Sequence, residues 1–208
     1  MSAISSAQGE VKFFQYALRK AGQNWLKAKL FMKFNSLLLL FLVEGALVTA
    51  AADQNALNPH LEPLRPLLRK TWQATFKNST AEKPTIDVEH WERALNGQAV
   101  RVLHSINDGV YGGETIFIWD EQRQIIAYYY FTTEGFMTSG TLEVKDAKFI
   151  THEDVKGNAN GVTEVRATSE LLPDGKFHVK AEYFKNGQWG LGHEATYEET
   201  PTAKVVFK

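Results

Sequence analysis

Residues 113–144, GETIFIWDEQRQIIAYYYFTTEGFMTSGTLEV, alternate apolar-rich runs with short polar or glycine-containing turns. Glu114–Trp119, Ile125–Thr132 and Phe136–Val144 are rich in β-branched and aromatic residues and read as strands. Asp120–Gln124 and Thr133–Gly135 read as the turns between them. The pattern extends both ways. Thr71–Lys77, Thr85–Leu95 and Gln98–Ile106 precede it; Lys148–Val155, Val162–Leu172, Lys176–Lys185 and Gln188–Glu199 follow. Asn96-Gly97, Asn107-Asp108-Gly109, Pro173-Asp174-Gly175 and Asn186-Gly187 supply hairpin turns, and Lys156–Gly161 a longer one. No helical pattern of crossover length separates the strands, so the sheet is expected to be antiparallel. Closure removes exposed edges. The expected fold is all-β: an antiparallel meander barrel of about ten strands, with a sandwich as the alternative.

Upstream, Leu57, Leu61, Leu64, Leu67 and Leu68 follow a helical spacing interrupted by Pro59, Pro63 and Pro66. A short N-terminal helix that plugs one end of the barrel is expected. The tail Thr200–Lys208 reads as an extra edge strand or as unstructured chain.

Period-two sorting assigns faces to several strands. Val100, Val102, His104 and Ile106 share one parity, and Phe177, Val179, Ala181 and Tyr183 another inner one. Val165, Ala167, Ser169 and Leu171 group together, as do Trp189, Leu191, His193, Ala195 and Tyr197. The central strands are apolar on both parities, which leaves their faces unassigned. The inner set is aromatic and aliphatic with a few polar tips, the composition of a small-ligand pocket. Trp72, His104, Ser169, Tyr183, Trp189, His193 and Tyr197 are the candidate cavity residues. A filled core with each polar tip satisfied is the alternative.

Residues 1–52 read apart from the barrel domain, 53–208. Met32-Lys33, the apolar run Leu37–Val43 and Ala50-Ala51-Ala52 follow the order of a secretory signal, with translation starting at Met32. An uncleaved anchor with a basic tail is the rival. The reading implies a secreted or periplasmic protein with no membrane attachment after cleavage.

Charge sharpens the division. Residues 1–52 hold six basic and two acidic residues, +4; the remaining 17 basic and 22 acidic residues give −5. An acidic barrel lacks the basic footprint of a nucleic-acid binder. There is no cysteine, so disulfides and thiolate metal sites are excluded.

Catalytic patterns are sparse. No HExxH, GxSxG, Walker-type loop or GxGxxG occurs. Of six histidines, only His104 and His193 fall on an inner face, too few for a zinc site. In DVEHWE, residues 87–92, Glu89 and His90 point to opposite faces, and the segment reads as a solvated strand. No catalytic residue, metal or cofactor is assigned.

The order of HLEPLRPLLRKTWQATF, FIWDEQRQIIAYYYF, TTEGFMTSGTLEV and LLPDGKFHVKAEY–NGQW resembles lipocalin-like (calycin) barrels, including the nitrobindin-like group, over residues 57–199. The resemblance implies a meander barrel with an internal cavity. Nitrobindin-like barrels carry GxWxGxG; here KTWQATF keeps only Trp72. That departure removes the motif behind a haem role, for which His193 would be the axial ligand. The expected function is non-covalent binding of a small apolar or aromatic ligand. The alternatives are an enzyme using His104 or His193 as acid–base and a protein-binding adaptor; a homodimer is compatible with all three.

Overall fold

The computed structural model describes residues 55–157 and 160–208. The basic upstream segment and the signal-like run, residues 1–52, lie outside the described residues. No helix among the described residues is long and apolar enough to cross a membrane.

Ten strands form the fold: β1 (Lys70–Thr75), β2 (Ile86–Ala94), β3 (Ala99–Ile106), β4 (Tyr111–Asp120), β5 (Ile125–Thr132), β6 (Met137–Lys145), β7 (Lys148–Val155), β8 (Val162–Leu171), β9 (Phe177–Lys185) and β10 (Gln188–Glu199). Each pairs antiparallel with its sequence neighbours, and β1 also pairs with β10, so the sheet closes into a barrel. The largest shift from expectation is at β4, which begins at Tyr111 rather than Glu114. Gly112 and Gly113 are therefore strand residues. A Cβ on Gly113 would lie 2.2 Å from the Phe131 carbonyl oxygen and 2.4 Å from the Tyr130 ring, so glycine permits the close approach of β5.

The expected N-terminal helix is a 3-10 helix, Pro59–Leu67. Leu61, Leu64 and Leu67 recur every third residue, which matches its three-residue turn and stacks them on one side. The Asn58 side chain caps it by accepting from the His60 N–H at 3.0 Å. The three leucines are buried with Trp72, Trp91, Val100, Phe117 and Phe177. Trp72 Nε1 donates to the Leu67 carbonyl at 3.3 Å, and His60 stacks flat on Trp119 at 3.6 Å between centroids. This plug and its contacts fill one end of the barrel.

The tail is neither an edge strand nor loose. Val206 N–H donates to Ser105 Oγ at 3.0 Å, and the chain covers the outer side of β3, where Ser105 is buried.

One irregularity decides what faces inward. In β10, Leu191 pairs with Glu182 and Glu194 with Lys180, so Gly192 and His193 together oppose Ala181. This bulge reverses the parity along the strand. Glycine is required at 192, because a Cβ there would lie 2.8 Å from the Tyr183 ring and 2.9 Å from the Ala181 oxygen.

Candidate functional site

Opposite the plug the barrel is not filled. A cavity of about 760 Å³ occupies that end, ringed at its mouth by Phe136, Asn160 and Asn186 from three interstrand connections. Its wall is largely aromatic and aliphatic, but it contains a polar chain, a separate polar cluster and a Tyr183–His193 pair.

The chain starts on β2. Asp87, Glu89 and Trp91 share the inner parity and line the cavity. Asp87 is buried, and Tyr197 OH donates to its Oδ2 at 2.7 Å. Asp87 Oδ1 lies 3.0 Å from His104 Nδ1. His104 Nε2 lies 2.7 Å from Tyr130 OH, which lies 2.8 Å from Tyr111 OH. Glu89 stands directly opposite His104 in the β2–β3 register, and Trp91 Nε1 donates to its Oε2 at 2.9 Å.

Burial and neighbouring charge set the protonation states. Burial opposes charge on His104, but the hydrogen bond and charge of Asp87, with the charge of Glu89, outweigh it and hold the imidazole above its ordinary pKa. Burial, reinforced by Asp87, pushes Glu89 up to about 7 against the pull of Trp91, His104 and Tyr197. Glu89 is half-buried and borders the cavity. Burial likewise raises Tyr130 and Tyr197, so both phenols stay protonated.

The separate cluster lies on β5–β7. Tyr128 OH donates to Glu153 Oε2 at 3.0 Å. Burial raises the Glu153 pKa, partly offset by Thr138 and Tyr128. The Thr138 hydroxyl is buried beside this carboxyl. On β9 and β10, Tyr183 OH and His193 Nδ1 share a 2.7 Å hydrogen bond, and His193 stacks on Phe76 at 4.9 Å. Burial lowers the His193 pKa, and burial raises that of Tyr183 to about 12.

Of the seven candidate residues, His104, Ser169, Tyr183, His193 and Tyr197 line the cavity. Trp72 does not: it is fully buried at the plug end. Trp189 corrects the sequence reading. The bulge puts it on the outer face opposite Phe184, with the Arg166 guanidinium 4.3 Å above its ring. Leu191 is exposed at the rim, and Leu171 is also exposed. The solvated reading of residues 87–92 is corrected as well, since Asp87 and Glu89 turn into the barrel while Val88 and His90 turn away.

Asp87, Glu89, Glu153, Thr138, Tyr111, Tyr128 and Tyr130 line the cavity but are not among the seven candidates. Their signal was partial: Asp87, Glu89 and Trp91 share one parity, and Glu89 pairs with the inward His104. Among the described residues, no three His, Asp or Glu side chains come together as a metal-holding group.

The fold has a solved counterpart. The chain is similar to the crystal structure of Rv2717c from M. tuberculosis, with a TM-score of 0.50 and 15% identity. The likeness covers 70% of this chain and 99% of that one. At that identity the similarity concerns the barrel fold. No protein-family model matches the chain, and no curated protein matches it.

Proposed function

We propose that this protein is a calycin-like barrel that holds a small, mainly apolar or aromatic ligand non-covalently in its cavity. The observation that carries the reading is the combination of a 760 Å³ cavity with a buried polar chain, Asp87–His104–Tyr130–Tyr111, along one wall. Apolar walls supply the driving force, and a few fixed polar groups orient the ligand. The signal-like order of Met32-Lys33, Leu37–Val43 and Ala50–Ala52 supports a secreted or periplasmic location.

A haem fits this cavity poorly. His193 lines it with Nδ1 engaged by Tyr183, which leaves Nε2 for an axial bond. The walls, however, carry Asp87, Glu89 and Glu153, and Lys185 at the rim is the one lysine or arginine of the lining, a poor setting for the two propionates a haem carries. The proposed binding needs no resident cofactor.

A second reading has one specific support. Asp87 orients His104, and Tyr130 connects it to Tyr111 at the mouth, an arrangement able to move a proton. An enzymatic use of the cavity would therefore rest on His104 rather than His193.

Native mass spectrometry of the full chain, purified without denaturation, tests the binding reading. A bound mass of a few hundred daltons, the size of ligand such a cavity takes, is expected. A chain that stays ligand-free and binds none of a panel of apolar and aromatic probes overturns it.

A further inference from the structure

The polar chain on the cavity wall has a direction. Burial opposes charge on His104, but the hydrogen bond of Asp87 and the charges of Asp87 and Glu89 outweigh it. At about pH 6, below the ordinary imidazole value, both ring nitrogens therefore carry a proton. Nδ1–H donates to Asp87 Oδ1 at 3.0 Å, and Nε2–H donates to Tyr130 OH at 2.7 Å. Tyr130 has then accepted, and its own O–H donates onward to Tyr111 OH at 2.8 Å. Tyr111 is the last member. Its hydrogen has no acceptor among the described residues: Glu134, Glu153 and Asp87 act on it through their charge, not through a hydrogen bond. Tyr111 is half-buried and lines the cavity. A chain of donors thus ends in a free O–H on the cavity wall, and the imidazolium behind it polarises each link.

A second wall presents the same kind of group. Burial raises the Tyr183 phenol to about 12, so it keeps its hydrogen, and its hydrogen-bond partner among the described residues is His193 Nδ1. Burial keeps His193 neutral. The phenol therefore donates to Nδ1, and the one ring proton sits on Nε2, which has no partner among the described residues. The carboxyls, by contrast, are served. Asp87 accepts from Tyr197 and His104, Glu89 from Trp91, and Glu153 from Tyr128. The unused capacity of the wall is donor capacity, and it calls for an oxygen that accepts. An anionic oxygen is a poor answer. His104 is already paired with Asp87, and Lys185 at the rim is the one lysine or arginine of the lining, so a carboxylate would lose water without gaining a counter-charge.

Building on the binding reading above, we propose that the ligand carries an uncharged carbonyl oxygen, a ketone or aldehyde on an apolar or aromatic body, and that this oxygen accepts the Tyr111 O–H. Tyr111 is then the residue that selects the ligand's polar group, while the apolar wall holds its body.

The test compares three probes of matched shape, 2-acetylnaphthalene, 2-isopropenylnaphthalene and 2-naphthoate. The first two differ only in a carbonyl oxygen against a methylene. Each displaces N-phenyl-1-naphthylamine from the full chain at about pH 6, where His104 is charged and His193 neutral. The ratio of ketone to alkene affinity should fall roughly three-fold or more in Tyr111→Phe, the scale of one neutral hydrogen bond. The naphthoate should bind more weakly than the ketone. In the parent, the carbonyl stretch of bound, carbon-13-labelled 2-acetylnaphthalene should lie below its value in hexane, and it should return towards that value in Tyr111→Phe. A ratio that falls in His193→Phe but not in Tyr111→Phe overturns the placement at Tyr111. A ratio unmoved in both variants, or naphthoate binding more tightly than the ketone, overturns the carbonyl class and leaves the cavity reading standing. If Tyr111→Phe does not fold, the parent's carbonyl stretch decides, and a value equal to that in hexane overturns the proposal. If the parent binds neither N-phenyl-1-naphthylamine nor any of the three probes, the binding reading falls as well.

Discussion

Tyr197 on β10 donates a 2.7 Å hydrogen bond to Asp87 Oδ2 on β2, across 110 positions of sequence. Because β1 lies between those strands, the bond ties the closing seam of the barrel from inside. It also fixes the carboxylate that holds His104. The same contact therefore serves closure and site geometry.

Tyr197→Phe removes this donor and leaves a buried carboxylate oxygen unpaired. The expected loss is about 1–3 kcal/mol of folding stability. Urea denaturation of the variant should show a lower midpoint with an unchanged slope. A midpoint equal to that of the parent would mean that the seam does not depend on this bond.

Stability should fall as pH rises from about 6.5 to 8, for a reason set by three groups. Glu89 is raised from 4.5 to about 7, so the folded state holds its proton more readily than the unfolded state, and folding weakens as pH rises through that window. Burial raises Glu153 as well, in the same direction. His104 is held above the ordinary imidazole value of 6.5; its contribution is complete below that value and is lost as pH rises through the folded pKa. His193, lowered by burial, acts only below 6.5, where it opposes folding as the pH drops. Scanning calorimetry at the two pH values should show a lower melting temperature at the higher one, by roughly 2–4 °C per kcal/mol. Glu89→Gln should flatten the dependence. A melting temperature that rises over this interval would contradict the assignment.

Trp91 lines the cavity and Trp189 does not. Ligand-induced quenching should therefore survive Trp189→Phe and lose most of its amplitude in Trp91→Phe. The outer Arg166–Trp189 contact contributes about 0.5–1 kcal/mol, so Trp189→Phe should leave the fold intact. Quenching that disappears with Trp189 would place the ligand outside the barrel.

How much of this was legible in the sequence follows from the physics of each element. Strand positions were readable because β-branched and aromatic runs are bounded by Asn-Gly, Asn-Asp-Gly and Pro-Asp-Gly turns. The inner parity of β3 and β9 was readable because each pairs an apolar face with a charged or polar one. In β10 the alternation misled, since period two cannot register a bulge, and only Gly190 and Gly192 hinted at one. The β2 carboxylates misled for the opposite reason. Asp87 and Glu89 look solvated by composition, and their burial depends on Tyr197, Trp91 and His104, partners on or paired from other segments. The plug was legible as apolar, but three prolines and a three-residue leucine repeat favour 3-10 geometry over an α-helix.

The central claim is that the space inside the barrel is a binding site. Ala167 on β8 lines that space, so Ala167→Phe should fill it without touching the polar chain. The most direct measurement is a fluorescence titration of the full chain with the neutral probe N-phenyl-1-naphthylamine, for the parent and for Ala167→Phe. The account requires saturable binding of one probe per parent chain and at least about ten-fold weaker binding to the filled variant, the scale of excluding an apolar ligand from its cavity. Equal binding by the two chains, or no saturable binding by the parent, would contradict it.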